Sequence, residues 1–180
     1  ADVITFAGNG EPTLHPEFHH IVDDSIALRD IYCPDTRIAI LSNSSTLNKQ
    51  PVRNALMKVD MNILKLDSAF DRTIQLHNQP TTDITVKELI KNLASFEGHV
   101  IIQTLFLKGK YKGKIIDNTT PEEIENWLRA LAEIKPEEVM IYTIERETPE
   151  GGILKKVPER ELNQIAARVE KLGIKTQVSG

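Results

Sequence analysis

Runs of Val, Ile, Leu and Phe recur along the chain as "VITFAG" from Val3, "RIAILS" from Arg37, "NILKLD" from Asn62, "VIIQTLFL" from Val100, "VMIYTI" from Val139 and "IKTQV" from Ile174. Such runs read as strands, and their near-continuous apolar character predicts strands covered on both faces. Their starts lie about as far apart as the 30 or more residues of a strand, helix, strand unit. Helical patterns fill the gaps. Pro16 suits a first helical position ahead of "EFHHIVDDSIALR", and Pro158 opens "ERELNQIAARVEKLG", which Gly173 closes. Thr85 with Glu88 forms a capping box for "VKELIKNLASF", with Gly98 near its end, and Thr120, Pro121 and Glu123 open "EIENWLRALAEI" in the same way. Alternation of strands and helices predicts a single α/β domain over residues 1–180, built on a parallel sheet with right-handed crossovers. The longest irregular segments, "LKGKYKGKIIDNTT" and "ERETPEGGILKKV", both follow strands, where such folds build their sites.

Composition narrows the picture. The 22 basic against 26 acidic side chains leave a formal charge of -4, so no strong generic attraction to nucleic acid or anionic lipid is expected. The longest apolar runs fall far short of the ~20 residues of a membrane helix, and no leader-like segment opens the chain. The expectation is a cytoplasmic protein without membrane contact. Cys33, the sole cysteine, can form neither an internal disulfide nor a thiolate cluster, and in "IYCPD" it reads as a buried structural thiol ahead of a strand.

The stretch "GNGEPTLHPEF" turns the first strand into the first helix. Gly8 and Gly10 allow positive φ and close approach of a ligand, Asn9 tolerates a left-handed conformation, and Pro12 stiffens the exit. Glu11 then either caps a neighbouring amide or meets a ligand above the sheet. Polar residues also mark the other strand ends: Ser42 and Asn43, Lys65 with Asp67 and Ser68, Gln103 and Thr104, Tyr142 and Thr143. Alternation places Lys65 and Asp67 on one face, where they either neutralise each other or serve a ligand. His15 and His19, four residues apart, have no glutamate in the metalloprotease arrangement, Pro16 standing directly after His15, and read as solvated or capping. "KGKYKGK", from Lys108 to Lys114, reads as a solvated loop in preference to an RNA or phosphate site. Phosphate-loop and dinucleotide fingerprints are absent.

The turn at Asn9, Gly10, Glu11 and Pro12, with the strands that follow it, resembles the Gly-Gly-Glu-Pro motif of the radical S-adenosylmethionine superfamily, with Asn9 where that family usually has glycine. "IYTIERETPEGGILKKVPERELNQIA" is similar to a subgroup of iron-sulfur oxidoreductases in it. The resemblance implies a partial (β/α)6 TIM-like barrel, here strands two to six plus a C-terminal extension. It implies that Gly8, Asn9, Gly10, Glu11 and Pro12 hold the methionyl amino group of S-adenosylmethionine. Ser42, Asn43, Lys65, Asp67, Ser68 and Gln103 are the implied contacts for its carboxylate and ribose. The implied reaction is reductive cleavage to a 5'-deoxyadenosyl radical that abstracts hydrogen from a substrate, whether small molecule, peptide, protein or RNA, with flavodoxin or ferredoxin as reductant.

The family's Cys-x3-Cys-x2-Cys loop, which holds a 4Fe-4S cluster, has no counterpart here, and Cys33 belongs to the opposite end of the sheet. The expectation is a fragment whose first strand and cluster loop lie upstream and which is inactive alone, with an open edge at Val3 inviting self-association. The alternative is a cluster-less barrel that binds a nucleotide or a partner.

Overall fold

A computed structural model describes residues 2–7, 10–78, 84–111, 113–145 and 153–180. Its strands are β1 (Val3–Phe6), β2 (Arg37–Ser42), β3 (Met61–Lys65), β4 (Ile101–Tyr111), β5 (Lys114–Asp117), β6 (Glu138–Thr143), β7 (Ile153–Lys156) and β8 (Lys175–Ser179). The helices are α1 (Phe18–Tyr32), α2 (Gln50–Leu56), α3 (Asp71–His77), α4 (Val86–Ala94), α5 (Pro121–Ile134) and α6 (Glu159–Glu170). Six strands run parallel in the order β1-β2-β3-β4-β6-β8, the arrangement of a partial TIM-like barrel. β5 and β7 pair antiparallel with the far end of β4.

Strand alternation sorts the sheet into two unlike faces. Ile38, Ile40, Leu64, Ile102, Phe106, Val139 and Ile141 point to one side and pack with helix residues such as Val22, Leu56, Leu93, Trp127, Leu131 and Leu162 in one continuous core. Ala39, Ile63 and Ile101 point the other way, with partly buried Leu41, Met61 and Met140 around them and no helix residue in the cluster. The expectation of strands covered on both faces is thereby corrected. A barrel's inner face is covered by its own far wall, and a sheet that does not close leaves that face half open.

Trp127 anchors the helical side. Its ring meets Phe106 edge-on at 5.3 Å between centroids, and its Nε1 donates to the Leu66 carbonyl at 3.2 Å. At the other end of the strands, Asp60 Oδ2 accepts from the Ile38 amide and from Arg29 Nη1, both at 2.7 Å, tying the entry of β2 to α1.

Several local readings need revision. α1 starts at Phe18, not at Pro16, because a short 3-10 turn over Pro12–Leu14 and a further turn from His15 to Phe18 use the residues before it. Pro158 takes the cap position ahead of α6. The box of Thr85 and Glu88 is present in both directions. At α5 only half forms: Thr120 accepts from the Glu123 amide, but the Glu123 carboxylate turns away to Ser68 and Thr73. α2 and α3, seven residues each, add to the helices expected; α2 carries Pro51 in its first turn, and α3 has no side-chain cap.

The "irregular" segment after Leu107 is a ribbon: β4 continues to Tyr111, β5 returns along it, and β7 flanks its other side. Part of "ERETPEGGILKKV" lies outside the described residues. Cys33 is exposed at the C-terminal cap of α1, which corrects the buried-thiol reading; the loop entering β2 runs over the surface.

Candidate functional site

The exits of the parallel strands gather at one end of the sheet. After β1, Glu11 is the N-cap of the 3-10 turn. Its Oε1 accepts from the Thr13 amide at 3.2 Å and the Thr13 hydroxyl at 2.5 Å, and its Oε2 accepts from the Asn43 amide at 2.6 Å. Thr13 in turn bonds the Thr46 hydroxyl. One carboxylate therefore stitches the turn after β1 to the loop after β2. The second loop is tied onward, since Ser44, at φ 68, donates its hydroxyl to the Lys65 carbonyl at 3.0 Å. Gly10 is exposed, and a Cβ there would meet nothing within 4 Å.

The exit of β3 is built differently. Asp67 is buried, and its Oδ1 accepts from the Leu105 amide at 2.8 Å. Its Oδ2 lies 3.2 Å from Lys65 Nζ, as an ion pair, and 3.4 Å from His77 Nδ1, neither contact forming a well-shaped hydrogen bond. Asn118 braces the same turn by donating to the Asp67 and Leu105 carbonyls while accepting from the Leu107 amide. The Ser68 hydroxyl donates to Glu123 at 2.6 Å, and Thr104 donates to the Leu66 carbonyl at 2.8 Å.

Lys65, by contrast, keeps a quarter of its side chain exposed on the open face. Gln103 stands beside it as its register partner on β4, and Tyr142 lies close enough to bond the ammonium. Burial alone pulls Lys65 down, but Asp67 and Tyr142 outweigh it and hold the ammonium above its ordinary range. Burial pushes the Tyr142 phenol up, and the Asp67 charge adds to this against the pull of Lys65. For Asp67, burial raises the carboxyl, yet His77, Lys65 and the Leu105 amide together bring it below its usual range. The site thus presents a charged ammonium, a neutral phenol and an amide side chain. A cavity of about 450 Å³ adjoins it, lined by Leu105, Tyr142, Thr143, Ile144, Glu145 and the C-terminal Ser179 and Gly180.

Of the residues singled out in the sequence, Gly10, Glu11, Pro12, Asn43, Lys65 and Gln103 occupy this end of the sheet. Ser42 belongs to the helix-facing set, with its hydroxyl accepting from the Ser44 amide, and Asp67 and Ser68 are enclosed by protein partners. Gly8 and Asn9 lie outside the described residues. Tyr142 was visible only as a strand-end polar residue; its two-residue spacing from Met140 on β6 is the signal that sets it on the open face. His15 accepts from the Glu17 amide at 3.2 Å and His19 packs against His20. Among the described residues no three His, Cys, Asp or Glu side chains are grouped as metal ligands. No described helix is long and apolar enough to cross a membrane.

No family model matches the chain. It is 30% identical over 151 residues to a protein named GTPase Obg from Brachyspira hyodysenteriae, covering 82% of this chain and 20% of that one. UPF0026 proteins from Methanocaldococcus jannaschii and Synechocystis are 28% and 29% identical, over 41% and 52% of their lengths. The chain therefore spans about half, or less, of the curated relatives it matches. Among solved structures, a domain of pyruvate-formate lyase-activating enzyme from Bacteroides vulgatus superposes with a TM-score of 0.67 at 19% identity, over 98% of both chains. A radical SAM methyltransferase from Sphaerobacter thermophilus gives 0.68 at 16% identity, over 99% of this chain and 50% of that one. Streptococcus suis SuiB, bound to precursor peptide SuiA, gives 0.68 at 16% over 99% and 38%. These likenesses establish the fold: an α/β domain of the partial TIM-like barrel type.

Proposed function

We propose that this chain is the S-adenosylmethionine-binding part of a radical S-adenosylmethionine iron-sulfur enzyme. The observation that carries the reading is the bond from the Asn43 amide to Glu11, which brings the Gly-Glu-Pro turn to the strand end next to Lys65 on the open face. The fold it shares with the Sphaerobacter thermophilus radical SAM methyltransferase supports it. The donor set fits the cofactor. In this reading the backbone of the turn receives the methionyl ammonium, with Glu11 holding the turn's shape. Lys65, kept protonated by Asp67, receives the carboxylate, and Gln103 and Asn43 meet the ribose. Bound S-adenosylmethionine supplies the hydrogen-abstracting chemistry, and the sheet's contribution is to orient it and limit water.

The described residues do not fit a 4Fe-4S cluster, since they offer no thiolate set and Cys33 stands at the entry of β2. The proposal places those ligands upstream of residue 1 in a longer polypeptide, makes the present chain inactive alone, and sets the intact protein in the cytoplasm with a flavodoxin or ferredoxin as reductant. The β1 side supports a further strand and helix there. Six large apolar residues, Ile4, Leu14, Ile21, Leu28, Ile31 and Tyr32, are exposed in this one unit, and among the described residues β1 is paired on one side only. In the isolated chain that edge is expected to self-associate, as a concentration-dependent rise in sedimentation coefficient.

Calorimetric titration with S-adenosylmethionine tests the site. Gln103→Leu should weaken binding about tenfold, or ~1.4 kcal/mol, without moving the unfolding midpoint. Unchanged affinity would remove Gln103 from the site. Reconstitution with iron and sulfide should leave this chain without charge-transfer absorption, and a stoichiometric cluster would overturn the upstream placement. In the coding sequence, an initiator methionine immediately before Ala1 would favour the cluster-less binding module instead.

A further inference from the structure

The lysine-rich stretch after Leu107 gains a partner in the fold that its sequence does not show. Past its last parallel pair at Phe106, β4 is flanked by β5 through Lys108–Tyr111 and by β7 through Leu107–Lys110. Three segments thus bring Lys108, Lys110, Lys114, Lys155 and Lys156 into one short ribbon, whose strands include a single acid, Asp117. This is a strong local excess in a chain of net charge -4.

The ribbon's own needs account for few of these charges. Leu107 and Ile116 are buried and anchor it, and Lys108 Nζ takes both Glu161 oxygens at 2.7 and 2.9 Å. Asp117 Oδ1 is occupied by Thr119. Lys110, Lys114, Lys155 and Lys156 are exposed and make no ion pair among the described residues. Lys155 also sits directly across from Lys108 in the ladder, a like-charge pairing that Asp117 on the other side of Lys108 and the Glu161 contact offset only for Lys108. A fold that keeps such a pair, with unmatched ammonium groups on both faces of the ribbon, Lys110 and Lys155 on one and Lys114 and Lys156 on the other, is shaped by something other than its own stability.

We infer that this ribbon binds the phosphodiester backbone of a nucleic acid through Lys110, Lys114, Lys155 and Lys156. All the cations are lysines, point charges on flexible stems suited to phosphate. Protein interfaces favour arginine and aromatic residues and are depleted in lysine. A membrane-surface element pairs its basic residues with a broad apolar face. Among its described side chains the ribbon exposes one large apolar residue, Ile115, 74% accessible. It extends from the strand that carries Gln103 and rises at the end of the sheet where Lys65 and Glu11 lie, so a bound strand is anchored beside the site. Binding stands apart from the cofactor reading; only the step from bound nucleic acid to substrate rests on it.

Fluorescence anisotropy with a labelled mixed-sequence single-stranded RNA, over a series of salt concentrations, tests this on the full chain. Four phosphate contacts give a log–log salt slope of about -3. Lys110→Gln with Lys155→Gln should weaken binding about tenfold at low salt and roughly halve that slope. The matched arginine pair should retain binding, and Lys87→Gln with Lys175→Gln, exposed lysines elsewhere, should change little. Absent or salt-insensitive binding, equal loss in both glutamine pairs, or tighter binding to phosphatidylserine vesicles than to RNA would overturn the inference. Titration of the same samples with S-adenosylmethionine separates the two readings, because RNA binding that persists where the cofactor fails to bind defeats only the cofactor site.

Discussion

The exits after β1 and after β3 each carry a carboxylate that caps an amide of the neighbouring strand or the loop after it, yet they differ in everything around it. Glu11 is half-buried and meets only neutral donors, the amide and hydroxyl of Thr13 and the amide of Asn43. Asp67 is enclosed, paired with Lys65, approached by His77, and braced by Asn118. A turn that must admit a ligand keeps open ground around its anchor, whereas a turn that fixes three strands is sealed. The two share one rule: at the C-terminal ends of parallel strands, unpaired amides attract acceptors, and a carboxylate is the strongest available.

The difference can be broken in order of size. Asp67→Ala should cost about 3–5 kcal/mol in urea unfolding, because it removes the buried cap of Leu105 and leaves the half-buried Lys65 ammonium without its carboxylate. Lys65→Met should destabilise by slightly less, since His77 remains near the carboxylate, and Lys65→Met with Asp67→Asn should cost less than the sum of the single changes. Glu11→Ala should cost about 1 kcal/mol, as the loss of a cap in a more solvated setting. A loss for Glu11→Ala as large as that for Asp67→Ala would erase the contrast.

Acid sharpens it further. The folded Asp67 carboxyl lies below its unfolded value, so its contribution is present above the unfolded value of about 4 and disappears as pH falls through the lower folded one. Thermal midpoints should drop on that acid limb, and Asp67→Asn should flatten it. The smallest expected effect is at Asn43→Ala, whose side chain accepts from the Ser45 amide at 2.9 Å, a few tenths of a kcal/mol in unfolding.

Much of the fold was legible because each parallel strand announces itself by its own residues. β-Branched runs at "RIAILS" and "VMIYTI" need no partner to be recognised, and the Thr85 box is local. What escaped depends on residues far apart. β5 and β7 are strands only because β4 overshoots the parallel sheet, and no alternation in "KGKYKGK" reveals that. Glu123 left its expected box because Ser68 and Thr73, fifty or more residues away, offer two hydroxyls. The pairing of Lys65 with Asp67 was readable from spacing, but not that the strand ends at Lys65 and the chain then carries Asp67 inward, leaving the paired ammonium as the partly exposed member. Asn118 gave no sign at all, since an asparagine before "TT" reads as an ordinary turn.

The solitary sulfhydryl at Cys33 offers a practical opening. Accessible, and set at the floor of the sheet by strand direction, it accepts a maleimide-linked dye without crowding the opposite rim. Paired with an acceptor on an oligonucleotide, such a tether becomes a ruler along the strand axis, reading by energy transfer whether a polymer lies across the upper ribbon or elsewhere on the surface.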